Sequence, residues 1–89
     1  MQFNIYDHPC LSYLDLIYEN ETIVLVSIIR VYGGDESEVH YSLSREETKK
    51  LLNTVSLDEF IRICQKRNTI LGILDYFKEN NITYSPKGY

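Results

Sequence analysis

The 89-residue chain has only two cysteines, Cys10 and Cys64, and no apolar run that approaches the length of a membrane span. Two cysteines far apart in the chain are too few for a disulfide framework, so we expect free thiols in a reducing cytoplasm, with a single bridge as the alternative. A membrane helix needs about 20 consecutive apolar residues, and the first residues lack the basic start and apolar stretch of an export signal. The sequence therefore predicts a cytoplasmic protein that does not enter the membrane.

Proline is also scarce, with two residues, whereas 44% hydrophobic and 25% charged residues are ordinary values for a globular protein. A chain of this length buries only about 60 to 65% of its unfolded surface, which suffices for one modest core. No linker or low-complexity segment divides the sequence. We predict a single domain over residues 1–89 that folds alone.

Basic residues are scarce in the first half of the chain. Residues 1–47 contain nine acids and two bases, a net charge of −7, whereas residues 48–89 contain four acids and seven bases, a net charge of +3. Like charges on one half steer encounter with a surface of opposite sign. The layout predicts a protein partner with a basic surface. It argues against direct nucleic-acid binding, because the acidic half opposes the basic strip of the helices, Lys49, Lys50, Arg62, Lys66 and Arg67.

The segment Thr22–Tyr32 is almost entirely β-branched, aliphatic or aromatic. Such a run is typical of a strand in the middle of a small sheet, with one face in the core and the other partly covered. Before it, Leu11–Tyr18 alternates as a strand and ends in a polar turn at Glu19–Glu21. After it, the loop Gly33–Ser37 leads to a third strand, Val39–Leu43.

Two further strands are alternatives at the ends of the chain. Met1–Tyr6 alternates like a short edge strand that Asp7–Pro9 ends, because proline restricts the residue before it and donates no hydrogen bond. Ile82–Tyr84 is a second short candidate, and Ser85–Tyr89 is predicted to be a frayed tail.

Two Ser-x-x-Glu patterns, at Ser44 and Ser56, predict helix starts by the capping box. The first helix is expected at about residues 45–53, with an outward Glu46–Lys50 pair. The helix after Ser56 and a third, later helix have apolar faces at helical spacing. These faces comprise Leu57, Phe60, Ile61 and Cys64, and then Ile70, Leu71, Ile73, Leu74 and Phe77. We predict an α+β fold in which a three-stranded antiparallel meander, with or without a short extra strand, precedes two or three helices packed on one face.

The residue types for a nucleophile–base pair or a zinc site are present in Asp7, His8, Cys10, His40 and Cys64. Their spacing fits no metal pattern, and we expect no cofactor. A small-molecule-binding or enzymatic domain that uses Cys10, His8 and His40 is the alternative hypothesis. Gly33 and its neighbour do not form a phosphate loop, since acids follow and no helix begins there.

Tyrosine is frequent in the predicted sheet, and tyrosine is enriched at interface anchors because it buries a large rigid ring and keeps a polar tip. The ordinary interpretation is that many of these residues only pack within strands. Together with the acidic turns they give the candidate partner-binding residues. These are Tyr18, Glu19, Glu21, Tyr32, Asp35, Glu36 and Glu38.

The run Ser27–Val31, the acidic turn after it, and Glu38–Ser44 before a helix resemble the strand-turn-strand-helix core of small phage type II-A anti-CRISPR inhibitors. In that family acidic loops and strands mimic DNA charge and occupy the nuclease's site for the PAM duplex. The resemblance implies this role for Asp35, Glu36 and Glu38.

Residues 57–84 are similar in style to immunity proteins of bacterial toxin systems, which are short, acidic and non-enzymatic. Both resemblances imply a non-catalytic inhibitor that occludes a basic functional surface of one protein partner, a nuclease or a toxin. They leave open whether the chain is a monomer or a dimer.

Overall fold

A computed structural model describes residues 1–9, 11–30 and 34–89. Within these residues five strands form one antiparallel sheet whose spatial order follows the chain, with β3 in the middle as predicted. The elements in chain order are β1 (Gln2–His8), β2 (Ser12–Glu19), β3 (Thr22–Arg30), β4 (Glu36–Ser42), α1 (Arg45–Leu52), α2 (Leu57–Arg67), α3 (Ile70–Glu79) and β5 (Ser85–Gly88). The α+β class is confirmed, but the predicted three-stranded meander is only the centre of a wider sheet.

The C-terminal strand is not where the sequence placed it. Ile82 is buried, and its backbone N–H donates to the Phe77 carbonyl at 2.8 Å, so the segment after α3 closes the core instead of pairing in the sheet. The predicted tail forms β5, which pairs antiparallel with β4. Pro86 is compatible with β5 because this strand is at an edge, where a missing N–H costs little.

The strands near the N terminus agree more closely with prediction. β1 continues two residues past its predicted end and stops before Pro9, and β2 ends one residue later than expected. Asn20 and Glu21 both have positive φ, 52° and 62°, as a two-residue hairpin turn between β2 and β3 requires. The predicted end of the central strand at Tyr32 lies outside the described residues. β4 starts at Glu36, three residues before its predicted start.

Side chains of β2 and β3 alternate between two environments. Leu14, Leu16, Ile23 and Leu25 are fully buried in one core with residues from all three helices. This side of the sheet is the core face. Because all three helices contribute to this core, the prediction that the helices pack on one face is confirmed. The other side, which no helix of the described residues covers, is the open face, and its strand residues follow from the register. They are Gln2, Asn4, Asp7, Tyr13, Asp15, Ile17, Glu19, Thr22, Val24, Val26, Ile28, Arg30, Glu36, Glu38, His40, Ser42, Ser85 and Lys87.

Each helix begins at a hydroxyl cap. Ser44, Ser56 and Thr69 each accept a hydrogen bond from the backbone N–H three residues later, at 3.0–3.1 Å. The predicted Glu46–Lys50 pair is replaced by a contact between Lys50 and Glu47, at 3.5 Å. The structure thus confirms the caps, while the charge pairing on α1 follows the i,i+3 spacing.

Helix α3 packs on the sheet through a narrower face than predicted. Ile70, Ile73 and Phe77 are buried, whereas Leu71, expected in the same apolar arc, is 72% exposed. Leu71 follows Ile70 by one residue, which is a rotation of about 100° around the helix and away from the sheet. A Cβ at Gly72 would lie 3.0 Å from Thr69 Oγ1, so glycine allows the close corner between α2 and α3.

Both edges of the sheet are irregular. In β1 the register shifts between Asn4 and Tyr6, so Ile5 is an extra, buried residue in a bulge. At the other edge β5 has only four residues and contains Pro86. In the described part of the chain, no helix has the length and apolar character needed to cross a membrane.

Candidate protein-binding site

The sheet has two ends, which are defined by the residues that pair across the strands there. His8, Ser12, Ile29 and Ser37 are successive cross-strand partners at one end, which we call the loop end. Glu19 pairs with Thr22 at the opposite end, the turn end. The nine-residue β3 joins them, so the ends are about 26 Å apart at roughly 3.3 Å per residue.

The predicted acidic residues are divided between these ends. Asp35 and Glu36 lie at the loop end, whereas Glu19 and Glu21 flank the tight turn at the turn end. Glu38 follows Glu36 by two residues in β4, so both face the same side of the sheet, the open face. The structure brings Asp35, Glu36 and Glu38 together but separates them from the other acids.

Two of the loop-end acids have basic neighbours. Arg30 Nε lies 3.6 Å from Glu36 Oε1, and the Arg30 guanidinium lies over the Tyr13 ring at 5.6 Å. His40 Nε2 is 2.7 Å from Glu38 Oε2. These groups remain partly exposed, so the contacts orient the carboxylates without removing them from solvent.

Asp7 joins this acidic group, although the sequence analysis did not name it among the partner-binding residues. Asp7 pairs with Tyr13, Tyr13 with Ile28, and Ile28 with Glu38, so the row begins and ends with an acid. The predicted edge strand β1 could have indicated this position for Asp7, because antiparallel pairing with β2 places the end of β1 beside the start of β2. This row therefore has an apolar centre, with one acid at each side of the sheet.

An apolar cleft of about 670 Å³ lies between the loop end and the corner of α2 and α3. Leu11, Ile29 and Leu71 line it and are 65%, 46% and 72% exposed. They are three of the five large hydrophobic residues that are exposed in the described chain. A concentration of exposed apolar side chains in one concave place marks an interaction site more often than scattered ones do. The other lining residues are Tyr6, His8, Ser12, Arg30, Tyr41, Asn68, Thr69 and Ile70.

The turn end has a different cleft, of about 420 Å³, between the β2–β3 turn and α1. Tyr18 and Glu21 line it together with the basic residues Arg45 and Lys49. Arg45 Nε also donates to the Asn20 carbonyl at 3.2 Å. Acids and bases alternate here, so this end offers a basic partner less attraction than the loop end does. Tyr32, the remaining candidate, lies outside the described residues.

The residues of the alternative enzymatic hypothesis do not come together. His8 lies on the core face, stacked on Tyr6 at 4.8 Å between ring centres, whereas His40 lies on the open face. Cys64 is a free, fully buried thiol, and burial raises its pKa to about 12, so it is protonated at neutral pH. Cys10 lies outside the described residues. Among the residues that the structure describes, no three His, Cys, Asp or Glu side chains are grouped to hold a metal ion.

Two tyrosines of the sheet have packing roles. Tyr6 is buried on the core face, and this burial raises its phenol pKa. Tyr41 packs edge-on against Tyr84, with 5.8 Å between ring centres. The ordinary interpretation therefore applies to both, although both also line the loop-end cleft.

Comparison of the chain with protein-family models, with curated proteins and with solved structures gave no match. The candidate site is therefore defined by geometry, exposure and charge.

Proposed function

We propose that the protein is a non-catalytic inhibitor that binds one protein partner through the loop end and occludes a basic functional surface of that partner. The observation that supports this proposal most is that the exposed apolar cleft and the acidic group lie at the same end of the sheet, on its two faces. Leu11, Ile29 and Leu71 lie at the same end of the sheet as Asp7 and Glu36.

The apolar cleft supplies the centre of the interface. Protein interfaces combine a buried apolar core with a polar rim, and a few anchor side chains in well-formed pockets contribute most of the affinity. Leu11, Ile29 and Leu71 form the walls of such a pocket from three separate parts of the chain. We expect it to receive an apolar side chain of the partner.

The acids supply the rim and select the partner. Asp7, Glu36 and Glu38 lie at the loop end on the open face, opposite the side that the cleft occupies, and Asp35 precedes Glu36. Arg30, which lines the cleft, is paired with Glu36, so a partner that covers the loop end meets the cleft and these acids together. A negatively charged rim favours a partner that carries lysine and arginine around the contact, as the nucleic-acid-binding surface of a nuclease or toxin does. Covering that surface would block the partner without any chemistry by the inhibitor.

The first experiment is affinity capture from host lysate on three immobilised proteins. These are the wild type, Leu71→Asp at the cleft, and a control, Glu19→Gln with Glu21→Gln, which removes two acids at the turn end. We expect one protein to be retained by the wild type and the control and lost from Leu71→Asp. Equal retention by all three columns would overturn the loop-end site.

The second experiment measures association rates with the purified partner across salt concentrations. The triple variant Asp35→Asn, Glu36→Gln, Glu38→Gln should associate more slowly and with a flatter salt dependence, because screening over about 8 Å at physiological salt removes such steering. Its stability should change by at most about 0.5 kcal/mol per substitution, since these side chains are exposed or partly exposed. Rates and slopes equal to those of the turn-end control would contradict the acidic-rim hypothesis. A partner whose activity is unchanged at stoichiometric inhibitor would contradict the inhibitory function.

A further inference from the structure

The open face of the sheet is a second surface, separate from the loop-end cleft. Val24, Val26 and Ile28 form its central stripe, with Ile17 and Tyr13 beside them on β2. Four of these five side chains stay partly exposed, and no helix of the described chain covers them. We infer that this face binds a second copy of the chain and forms a two-fold symmetric dimer, an association that does not depend on the proposed inhibitory function.

One row of charges on the open face is arranged for self-complementarity. One cross-strand row runs from Asp15 through Val26 to His40 and Lys87. The acid lies on one side of the central strand and the basic groups lie on the other side. Within one chain, Asp15 in β2 and Lys87 in β5 are three strand spacings apart, about 14 Å, so they cannot pair with each other.

Two-fold symmetry brings these groups together. A dimer of stacked sheets with its axis along β3 places β2 of one copy over β4 of the other, and β1 over β5. Asp15 then faces His40 of the second copy, with Lys87 one strand away over Asn4 and within reach of a long side chain, and the reciprocal contact forms by symmetry. The stripe of Val24, Val26 and Ile28 meets its own equivalent at the axis, at the usual sheet spacing of about 10 Å. Arg30 also meets its equivalent there, each Arg30 being paired with Glu36 of its own chain.

Asp15 is prepared for such a contact. Its two carboxylate oxygens accept hydrogen bonds from Gln2 Nε2 at 3.1 Å and from Asn4 Nδ2 at 2.8 Å. These bonds hold the carboxylate in place among apolar neighbours, so little side-chain entropy is lost when a cation approaches it. Asp15 contributes to the acidic half of the chain, yet it is oriented by its neighbours instead of being freely solvated.

The size of the face sets the expected affinity. Five strands about 4.8 Å apart and about 26 Å long give a projected area of roughly 500 Å² per copy, or about 1,000 Å² for the pair. This is near the lower limit for a specific interface. We therefore expect a reversible dimer whose population rises with concentration, and not an obligate one.

Sedimentation equilibrium over a range of about 1 to 500 μM tests the dimer, because this range brackets affinities typical of small interfaces. Val26→Asp places a charge at the two-fold axis and should raise the dimer dissociation constant at least about tenfold. Leu71→Asp is the matched control, since it adds the same charge at the loop-end cleft, and it should leave dimerisation unchanged.

Lys87→Glu provides a second test that does not disturb the core, because β5 is exposed along its length. It puts a carboxylate near Asp15 in each half of the dimer and should weaken association about threefold or more. A wild-type chain that stays monomeric at all concentrations would overturn the inference. A dimer that persists in both Lys87→Glu and a folded Val26→Asp would also overturn it. The same holds if Val26→Asp loses the captured partner but still dimerises.

Discussion

The core face and the open face of β3 differ although the same strand supplies both. Leu25 is fully buried, whereas Val24 beside it is only partly buried. The neighbours explain the difference, since Leu25 lies between Leu16 and Tyr41 while Val24 lies between Ile17 and Ser42. An apolar run therefore identifies a central strand, but the residues of the adjacent strands decide which of its faces is covered by helices and which remains available for contacts with other chains.

The largest expected effect is on the helices that cover the core face. Phe60 is fully buried and stacks on Phe77 with 5.7 Å between ring centres. Phe60→Ala should lower the free energy of unfolding by about 3 to 5 kcal/mol, because it removes a buried ring and leaves a cavity. Urea unfolding measures this loss. A change below about 1 kcal/mol would mean that the helix layer does not depend on this contact.

A pair of substitutions in β3 tests the two faces directly. Leu25→Ala should cost about 2 to 5 kcal/mol, since its neighbours on the core face cannot close the cavity fully. Val24→Ala removes fewer methyl groups from a partly exposed site and should cost about 1 kcal/mol or less. Urea unfolding at a concentration below dimer formation compares them. Equal losses would show that the open face is as well covered as the core face.

A smaller, pH-dependent effect is expected where α1 holds the segment that leads to β5. Glu47 accepts a hydrogen bond from the Thr83 backbone N–H at 3.2 Å, and this bond, together with Lys50, lowers the pKa of its carboxyl group. A lowered pKa means that the folded state favours the ionised form. The stabilisation is therefore complete above the unfolded pKa and is lost as pH falls through the lower folded pKa.

Glu47→Gln should remove this part of the acid dependence. Stability of the variant should fall less between neutral pH and the acid range than stability of the wild type. Urea unfolding at a series of pH values measures the two curves, with Glu46→Gln as the control on the exposed neighbour. Parallel wild-type and Glu47→Gln curves would show that the Thr83 contact does not contribute.

Features specified by nearby residues could be predicted from the sequence. The cap at Ser56, the face that contains Phe60 and the strand β3 all depend on spacing within a few residues. Features that depend on pairing between distant parts of the chain could not be predicted from the sequence. β5 forms because residues 85–88 reach the free edge of β4, and Leu71 is exposed because a narrow face of α3 contacts the sheet.

The candidate site was predictable only in part. Asp35, Glu36 and Glu38 are close in sequence, so their grouping followed from the chain itself. The contribution of Asp7 required the pairing of β1 with β2, and the cleft required three parts of the chain to meet. Leu11 and Ile29 have ordinary strand-like sequence contexts, and exposure, which distinguishes them, depends on where the helices end.

The irregular edges of the sheet affect the chain before it meets any partner. Newly made β proteins aggregate when a long, regular edge strand recruits the same strand of another molecule and the pairing continues into a fibril. The bulge at Ile5 interrupts the hydrogen-bond ladder at one edge, and Pro86 removes a donor from the other. We therefore expect copies that meet edge to edge not to extend the sheet, so that the chain resists polymerisation at high concentration.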